Sequence, residues 1–279
     1  MEDTISTVIA GMPHTGKTSY LALLYLAIIS SERAEIELGS YKDDREYLND
    51  ISGRLQRCEE AGHTEVGRQN GLQLSVVFPG GMSGLLSAPD LSGETWEEAL
   101  VERTWSTDLD DNVRRSTGLC IFVHAAEFHI DPSIAEIESA LAEAAPDTGP
   151  ADNSEHYEPD RLSTQVCIVD LIQLICEERG DRPANVSIVV SAFDLLPDGT
   201  RPTEWLHINA PLVEQYADAN SEWLKLEVFG LSAQGGRFDD PELRAILIES
   251  DPLERASLVR GDGTPAGFDA PILWAVGHG

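Results

Sequence analysis

Eight residues near the start of the chain place glycine, lysine and threonine where phosphate binding needs them. The stretch from Gly11 to Thr18 follows the pattern G-x-x-x-x-G-K-T. Its two glycines allow the backbone to curl around an anion, so that successive N–H groups point at phosphate oxygens in front of a helix N-terminus. We expect the Lys17 ammonium to reach the β- and γ-phosphates of a nucleotide and the Thr18 hydroxyl to bind Mg²⁺. The residues assigned to nucleotide binding in this loop are Gly11, His14, Thr15, Gly16, Lys17, Thr18 and Ser19.

The segments on either side of the loop support this interpretation. The apolar run 7–10 predicts a strand before it, and the apolar stretch 19–30 predicts a helix after it. Strand, loop and helix in this order form the setting in which the motif binds phosphate. The alternative is an ordinary glycine-rich turn, but such a turn does not explain why Lys17 and Thr18 occupy the two positions that the chemistry requires.

A second motif, D-x-x-G, follows a predicted hairpin strand and runs from Asp90 to Gly93. In GTPases the carboxylate of this motif orients a Mg²⁺-bound water, and the glycine amide donates to the γ-phosphate. We therefore assign Asp90 to the metal and Gly93 to the nucleotide. Glu94, the next residue, is a candidate to hold the attacking water or act as a base. The alternative is that Asp90 is simply a turn residue.

Two further segments have the order and spacing of guanine-binding motifs. Asp194 follows the buried strand predicted at 186–192, and its carboxylate would accept two hydrogen bonds from guanine N1–H and the 2-amino group. Adenine offers neither donor in that place. Ser191 and Ala192 depart from the N/T-K-x-D pattern, in which the lysine stem covers the base. Asp194 as a turn or helix-cap residue is the alternative. Ser232 and Ala233 look like the S-A-K/L loop, whose backbone amide contacts guanine O6.

Thr64 is the candidate for a threonine that closes over Mg²⁺ and the γ-phosphate. It is the one threonine between the first predicted helix and the strand that begins near residue 71. Its hydroxyl and backbone would engage only when the γ-phosphate is present. Together with Lys17 and Glu94 it completes the predicted catalytic group. An exposed loop threonine is the alternative.

The composition excludes several classes of partner. A net charge of −30, from 49 acidic against 19 basic residues, repels nucleic acid and anionic membranes. No apolar run is long enough to cross a bilayer, and the acidic residues Glu2 and Asp3 argue against a signal peptide. The four cysteines show no C-x-x-C pairing, so we expect buried, reduced thiols and a cytoplasmic location.

Predicted strands alternate with helical segments along most of the chain. This order predicts a doubly wound α/β fold with a mostly parallel sheet and one antiparallel strand pair at 71–89. We expect one domain over 1–279, with a helical insertion near 42–62 and an acidic insertion near 128–160. Other predicted strands lie at 4–10, 119–125, 186–192 and 226–231, and other helices at 16–31, 161–179, 240–248 and 270–276.

These motifs, in this order, make the chain resemble a TRAFAC-class, Ras-like P-loop GTPase. The run from Gly11 to Tyr25, the run from Asp90 to Glu94 and the helical insertion before Thr64 resemble the bacterial double-GTPase (DO-GTPase) families. The resemblance implies a cytoplasmic bacterial protein that binds GTP or GDP with Mg²⁺ and acts with a partner protein, such as a second GTPase, in conflict or defence systems.

Three of the departures from the wider Ras-like pattern bear on catalysis. Glu94 stands where a glutamine usually orients the attacking water, and Ala192 stands in place of lysine. Pro13 removes one N–H from the phosphate loop and would crowd an external catalytic group. The sequence therefore predicts slow hydrolysis of GTP. A nucleotide-binding scaffold with little turnover is one alternative, and a P-loop ATPase or kinase, in which Asp194 has no role, is another.

Overall fold

One eight-stranded sheet organises the chain, with strand order β2-β3-β4-β1-β5-β6-β7-β8. The computed structural model describes residues 5–39, 45–59, 71–88, 93–104, 107–129, 163–180 and 182–278. Thr64, Asp90 and nearly all of the predicted acidic insertion lie outside these ranges. The strands are β1 (Ile5–Ala10), β2 (Glu37–Leu38), β3 (Leu72–Phe78), β4 (Met82–Ala88), β5 (Gly118–His124), β6 (Ala184–Ser191), β7 (Leu224–Ser232) and β8 (Ser257–Arg260).

The five central strands, from β4 through β1, β5 and β6 to β7, run parallel. The predicted antiparallel pair is the hairpin of β3 and β4, so the predicted fold class is confirmed. Two further antiparallel pairings, β2 with β3 and β7 with β8, extend the sheet at its edges. β1, β5 and β6 are almost entirely buried because helices cover both of their faces.

Helices pack on both sides of the sheet. The described helices are α1 (Lys17–Ser30), α2 (Arg45–Gln56), α3 (Glu94–Glu102), α4 (Thr107–Arg115), α5 (Thr164–Arg179), α6 (Pro202–Asn209), α7 (Pro211–Ala219), α8 (Pro241–Glu249), α9 (Pro252–Arg255) and α10 (Ala270–Ala275). One buried apolar cluster joins the sheet to α1, α2 and α10, and a second joins it to α3, α4, α5, α6 and α7. Among the described residues, no helix combines the length and apolar content needed to cross a bilayer.

The helix predicted within the insertion at 42–62 is α2, which packs along α1. The Ser52 hydroxyl of α2 donates to the carbonyl oxygen of Ala22 in α1 at 3.1 Å, and Leu48, Ile51 and Leu55 are buried in the same interface. The spacing of these apolar residues, three and four positions apart, gives α2 one face that fits a neighbouring helix.

The C-terminal segment ties the last helix to the region around α1. The carboxylate of Asp269 accepts hydrogen bonds from the backbone N–H groups of Glu35 and Ile36, and burial raises the pKa of this carboxyl. The phenol of Tyr20 in α1 donates to the carbonyl of Phe268 at 3.0 Å. The helix that follows the glycine-rich loop is therefore anchored through the far end of the chain.

Candidate nucleotide-binding site

The predicted site residues lie along one edge of the sheet, where the parallel strands end. β1 runs into the glycine-rich loop, while β5, β6 and β7 end at His124, Ser191 and Ser232. The register pairs His124 with Ser191, so the ends of β5 and β6 lie side by side. In open α/β sheets, ligands bind in the crevice at this carboxyl edge.

The loop between β1 and α1 is bent by residues with positive φ. Gly11, His14 and Gly16 have φ values of 149°, 59° and 86°. A Cβ on Gly11 would lie 2.7 Å from the carbonyl oxygen of Phe122, so a larger residue would not fit there. The Thr15 hydroxyl donates to the carbonyl of Met12 at 2.8 Å and fixes the curve. A tight turn of this type, ending at a helix N-terminus, is suited to an anion.

Lys17 folds back across the loop. Its side chain is 2% exposed, and its Nζ donates to the carbonyl oxygens of Gly11 at 2.7 Å and Met12 at 2.8 Å. These carbonyls compensate for the burial of an ammonium group. The cation therefore lies at the loop, where phosphate oxygens would bind. Thr18 and Ser19 occupy the first turn of α1 and are half-buried.

Gly93 contacts the other side of the same loop. It precedes α3 with φ 91°, and a Cβ built on it would lie 2.4 Å from the backbone nitrogen of Pro13 and 2.5 Å from the carbonyl carbon of Met12. Only a glycine fits this contact without a shift of the backbone. Glu94, the first residue of α3, is exposed. The structure thus places the end of the D-x-x-G motif against the phosphate loop.

A cavity of about 220 Å³ lies on the α1 side of the loop. Asp194, which is exposed, faces it together with Ala192, Ala233 and Gly16. The loop glycine and the predicted guanine-reading residues therefore share one cavity. Ser232, the remaining predicted base contact, ends β7 directly before Ala233.

Two buried hydroxyls lie at this end of the sheet without a hydrogen-bond partner in the part of the chain that is described. They belong to Ser191 and Ser232, each 4% exposed. A buried hydroxyl without a partner is costly. Ser191 also lines the cavity, and a Cβ on Gly16 would lie 3.0 Å from its Oγ. An orphaned hydroxyl at the cavity wall fits a polar ligand such as a nucleotide.

A sharp turn after β6 positions Asp194. Ala192 adopts the left-handed conformation with φ 52°, and a short 3₁₀ turn, Phe193–Leu195, follows. The Phe193 ring packs on Gly230 of β7, where a Cβ would lie 2.7 Å from the ring. With Phe193 turned inward against the sheet, its neighbour Asp194 lies at the cavity. A left-handed alanine carries backbone strain, which is common at binding sites.

Sequence analysis missed two residues at the site, His124 and Arg237. Arg237 lines the cavity that holds Asp194, and its guanidinium is bound to Asp239. His124 lines this cavity and also a second one of about 190 Å³, which lies between the loop residues Met12 and Pro13 and helix α5. The position of His124 at the end of a buried strand was a usable signal, since the neighbouring strand ends carry the predicted site. Arg237 follows no family pattern.

Not every predicted residue falls in the described ranges. The loop residues, Gly93, Glu94, Asp194, Ser232 and Ala233 are all described and lie along the same edge of the sheet. Two of the three predicted metal ligands, Thr64 and Asp90, lie outside the described residues. The structure therefore describes the position of one predicted ligand, Thr18.

The fold and the arrangement of these residues define a P-loop protein of the α/β class. The chain matches the Double-GTPase 1 family (DO-GTPase1) over residues 8–275 and belongs to that family. This membership confirms the predicted resemblance and supports guanine-nucleotide binding. No curated protein matches the chain.

Several solved structures share similarity with the chain at low identity. The bacterial selenocysteine-specific elongation factor EF-Sec is 14% identical, with a TM-score of 0.39, over 88% of this chain and 28% of that one. Era of Aquifex aeolicus, bound to GDP·AlF4⁻, is 14% identical, with a TM-score of 0.32, over 87% and 55%. Roco2 of Methanosarcina barkeri, bound to GDP, is 13% identical, with a TM-score of 0.34, over 91% and 52%. The chain thus spans about a quarter to about half of these proteins.

Proposed function

We propose that this protein is a guanine-nucleotide-binding switch that binds GTP and GDP with Mg²⁺ and hydrolyses GTP slowly. The observation that carries the proposal is the contact of Gly16 with Ser191, through which the phosphate loop and the cavity of Asp194 share a wall. One ligand with phosphates at one end and a base at the other fits this arrangement.

Each side chain has a role in this proposal. Lys17 and the loop N–H groups bind the β- and γ-phosphates, and Gly93, which lies against Pro13, donates its amide to the γ-phosphate. Asp194 accepts hydrogen bonds from the guanine edge, while Ser232 and Ala233 close the O6 side. Thr18, Thr64 and Asp90 are the proposed metal ligands. Mg²⁺, when bound, would neutralise phosphate charge.

Slow hydrolysis follows from the residues beside the loop. Pro13 supplies no N–H, and the backbone of Gly93 packs directly against it, which leaves little room for an external group on that side. Glu94 occupies the position at which Ras-like proteins usually have a glutamine, and its side chain is exposed at the first turn of α3. We propose an intrinsic rate of roughly 10⁻⁴ per second, raised by a partner protein that supplies positive charge. A scaffold without turnover is the second candidate, favoured by the same Glu94 and by Ala192.

We place this switch in the bacterial cytoplasm, in a conflict or defence system and with a protein partner such as a second GTPase. The support for this setting is the resemblance to double-GTPase families and the family match over residues 8–275. We propose no role in nucleic-acid binding, since the net charge is −30.

Equilibrium titration with fluorescent GDP, GTP and ATP, with and without Mg²⁺, tests the proposed ligand. We expect guanine nucleotides to bind tightly, ATP to bind weakly, and Asp194→Asn to remove the difference. Equal affinity of the unmodified protein for ATP and GTP would contradict the proposal. The rate of GTP hydrolysis is then measured for Glu94→Gln and Glu94→Ala. A switch should show a rate that changes with the residue at position 94, whereas a scaffold should show little or no hydrolysis in any variant.

A further inference from the structure

The cavity of Asp194 lacks the residue that usually covers one face of the base. Ala192 occupies that position and ends at Cβ, so no stem extends over a bound purine. Asp194 can read the edge of the base, but an edge contact alone leaves the flat apolar faces against solvent. A planar side chain from another loop at the cavity would supply the missing cover.

Arg237 lines the same cavity from the opposite loop, which follows β7. Its Nε donates to Asp239 Oδ1 at 3.0 Å and its Nη2 donates to Asp239 Oδ2 at 2.5 Å. This two-point contact uses one edge of the guanidinium and leaves its flat faces open, since the side chain is 65% exposed. The side-chain hydrogen bond from Arg237 also lowers the pKa of Asp239.

The loop that carries Arg237 is held by close backbone packing. A Cβ on Gly235, which has φ 76°, would lie 2.6 Å from the carbonyl oxygen of Arg255. A Cβ on Gly236 would lie 2.8 Å from the side chain of Leu243 in α8. A platform fixed in this way loses little conformational freedom when a ligand stacks on it.

We propose that the Arg237 guanidinium stacks on the purine base in this cavity and replaces the lysine that Ala192 lacks, while Asp239 sets the angle of the guanidinium plane. The inference rests on the proposed nucleotide function and adds a base-binding residue to it. A planar cation stacks on an aromatic ring more favourably than an ammonium does.

The test is the dissociation constant of GDP, measured by calorimetry for Arg237→Ala, Arg237→Lys and the unmodified protein. Arg57→Ala is the matched control, because Arg57 also pairs with the residue two positions later, Glu59, is similarly exposed and does not line the cavity. We expect Arg237→Ala to weaken GDP binding about five- to twenty-fold and Arg57→Ala to leave it unchanged. Arg237→Lys keeps the charge but not the plane, so it should recover less than half of the loss on a logarithmic scale.

A second arm tests the replacement itself. Ala192→Lys, introduced into the Arg237→Ala protein, should restore most of the lost affinity, because it supplies the stem that the family pattern has at this position. Thermal melting without nucleotide confirms that each variant is folded.

Three results would overturn the inference. If Arg237→Ala binds GDP as Arg57→Ala does, Arg237 does not cover the base, and the proposed function stands. Full recovery by Arg237→Lys would show a charge effect without stacking. If the unmodified protein binds no GDP at all, the proposed function and this inference fail together.

Discussion

The phosphate side of the candidate site is formed mainly by the backbone, whereas the base side is formed mainly by side chains. On the phosphate side the backbone carries the geometry, with Gly11 and Gly93 at contacts that leave no space for a Cβ and Gly16 tight against the Ser191 side chain. On the base side single side chains from two separate loops, Asp194 and Arg237, line an open cavity. Backbone geometry tolerates few substitutions, whereas side chains on loops can be exchanged, provided another residue supplies the same contact.

The two sides depart from the family pattern in different ways. On the phosphate side the glycine contacts that shape the backbone are kept, and the departures are Pro13, which has no N–H to donate, and Glu94 in place of a glutamine. On the base side Ser191 and Ala192 have both changed, and Ser191 leaves a buried hydroxyl unpartnered among the described residues. We therefore expect substitutions on the phosphate side to have the larger effects.

Lys17→Ala should have the largest effect on binding. Removal of a charge-assisted contact to phosphate costs about 3 kcal/mol, so GDP affinity should fall roughly 100-fold. Calorimetry measures the loss, and Lys225→Ala, which removes an exposed lysine of β7, is the matched control. Nucleotide binding by Lys17→Ala at the unmodified affinity would show that the loop does not bind phosphate.

Gly93→Ala should have the next largest effect, on stability as well as on the preference for GTP over GDP. The new Cβ would lie 2.4 Å from the Pro13 nitrogen, which forces the two backbones apart. We expect a loss of about 2–4 kcal/mol in the free energy of unfolding, from the shift and the positive φ together.

The control for Gly93→Ala separates these two causes. Gly80 has a similar φ of 86°, and a Cβ there would meet nothing within 4 Å. Gly80→Ala should therefore cost only about 1 kcal/mol in urea unfolding. If both variants lose the same free energy of unfolding, the close contact between Gly93 and the loop does not contribute to stability.

Asp194→Asn should change which base is bound more than how tightly nucleotides bind overall. The asparagine oxygen can still accept from guanine N1–H, but its NH₂ group faces the 2-amino group, so one hydrogen bond is replaced by two opposed donors. GDP affinity should fall about ten-fold or more, while xanthosine diphosphate, which carries a carbonyl in place of the 2-amino group, should bind better than GDP. Competition titration of the two nucleotides measures the reversal. An unchanged preference for GDP would remove Asp194 from the base site.

The loop on the phosphate side could be predicted from the sequence because the pattern that specifies it is local. A glycine pattern between an apolar strand and an apolar helix specifies the loop without knowledge of the rest of the fold. The buried strands β5 and β6 were predicted within two residues at each end because each is centred on a short apolar run, 119–123 and 188–190.

The missed elements depend on tertiary contacts. Helices α6 and α7 are short, begin at prolines and bury only a few residues each, such as Trp205 and Val213. The two-residue strand β2 exists only as a partner of β3. Arg237 lies four residues after Ala233, beyond the S-A pattern, and it reaches the cavity through the loop that follows β7. On the base side the sequence therefore predicted Asp194, Ser232 and Ala233, whereas the place of Arg237 required the structure.

Ala192→Gly should have the smallest effect and sharpens the comparison most directly. The left-handed φ of 52° costs an alanine about 1 kcal/mol, which glycine avoids, but glycine loses about as much through the freedom of the unfolded chain. The free energy of unfolding should change by less than about 1 kcal/mol. GDP affinity should not change, because the methyl group at this position is too short to cover a base. A clear loss of GDP affinity in Ala192→Gly, measured beside Arg237→Ala, would show that the base side also depends on its backbone, and the contrast with the phosphate side would then disappear.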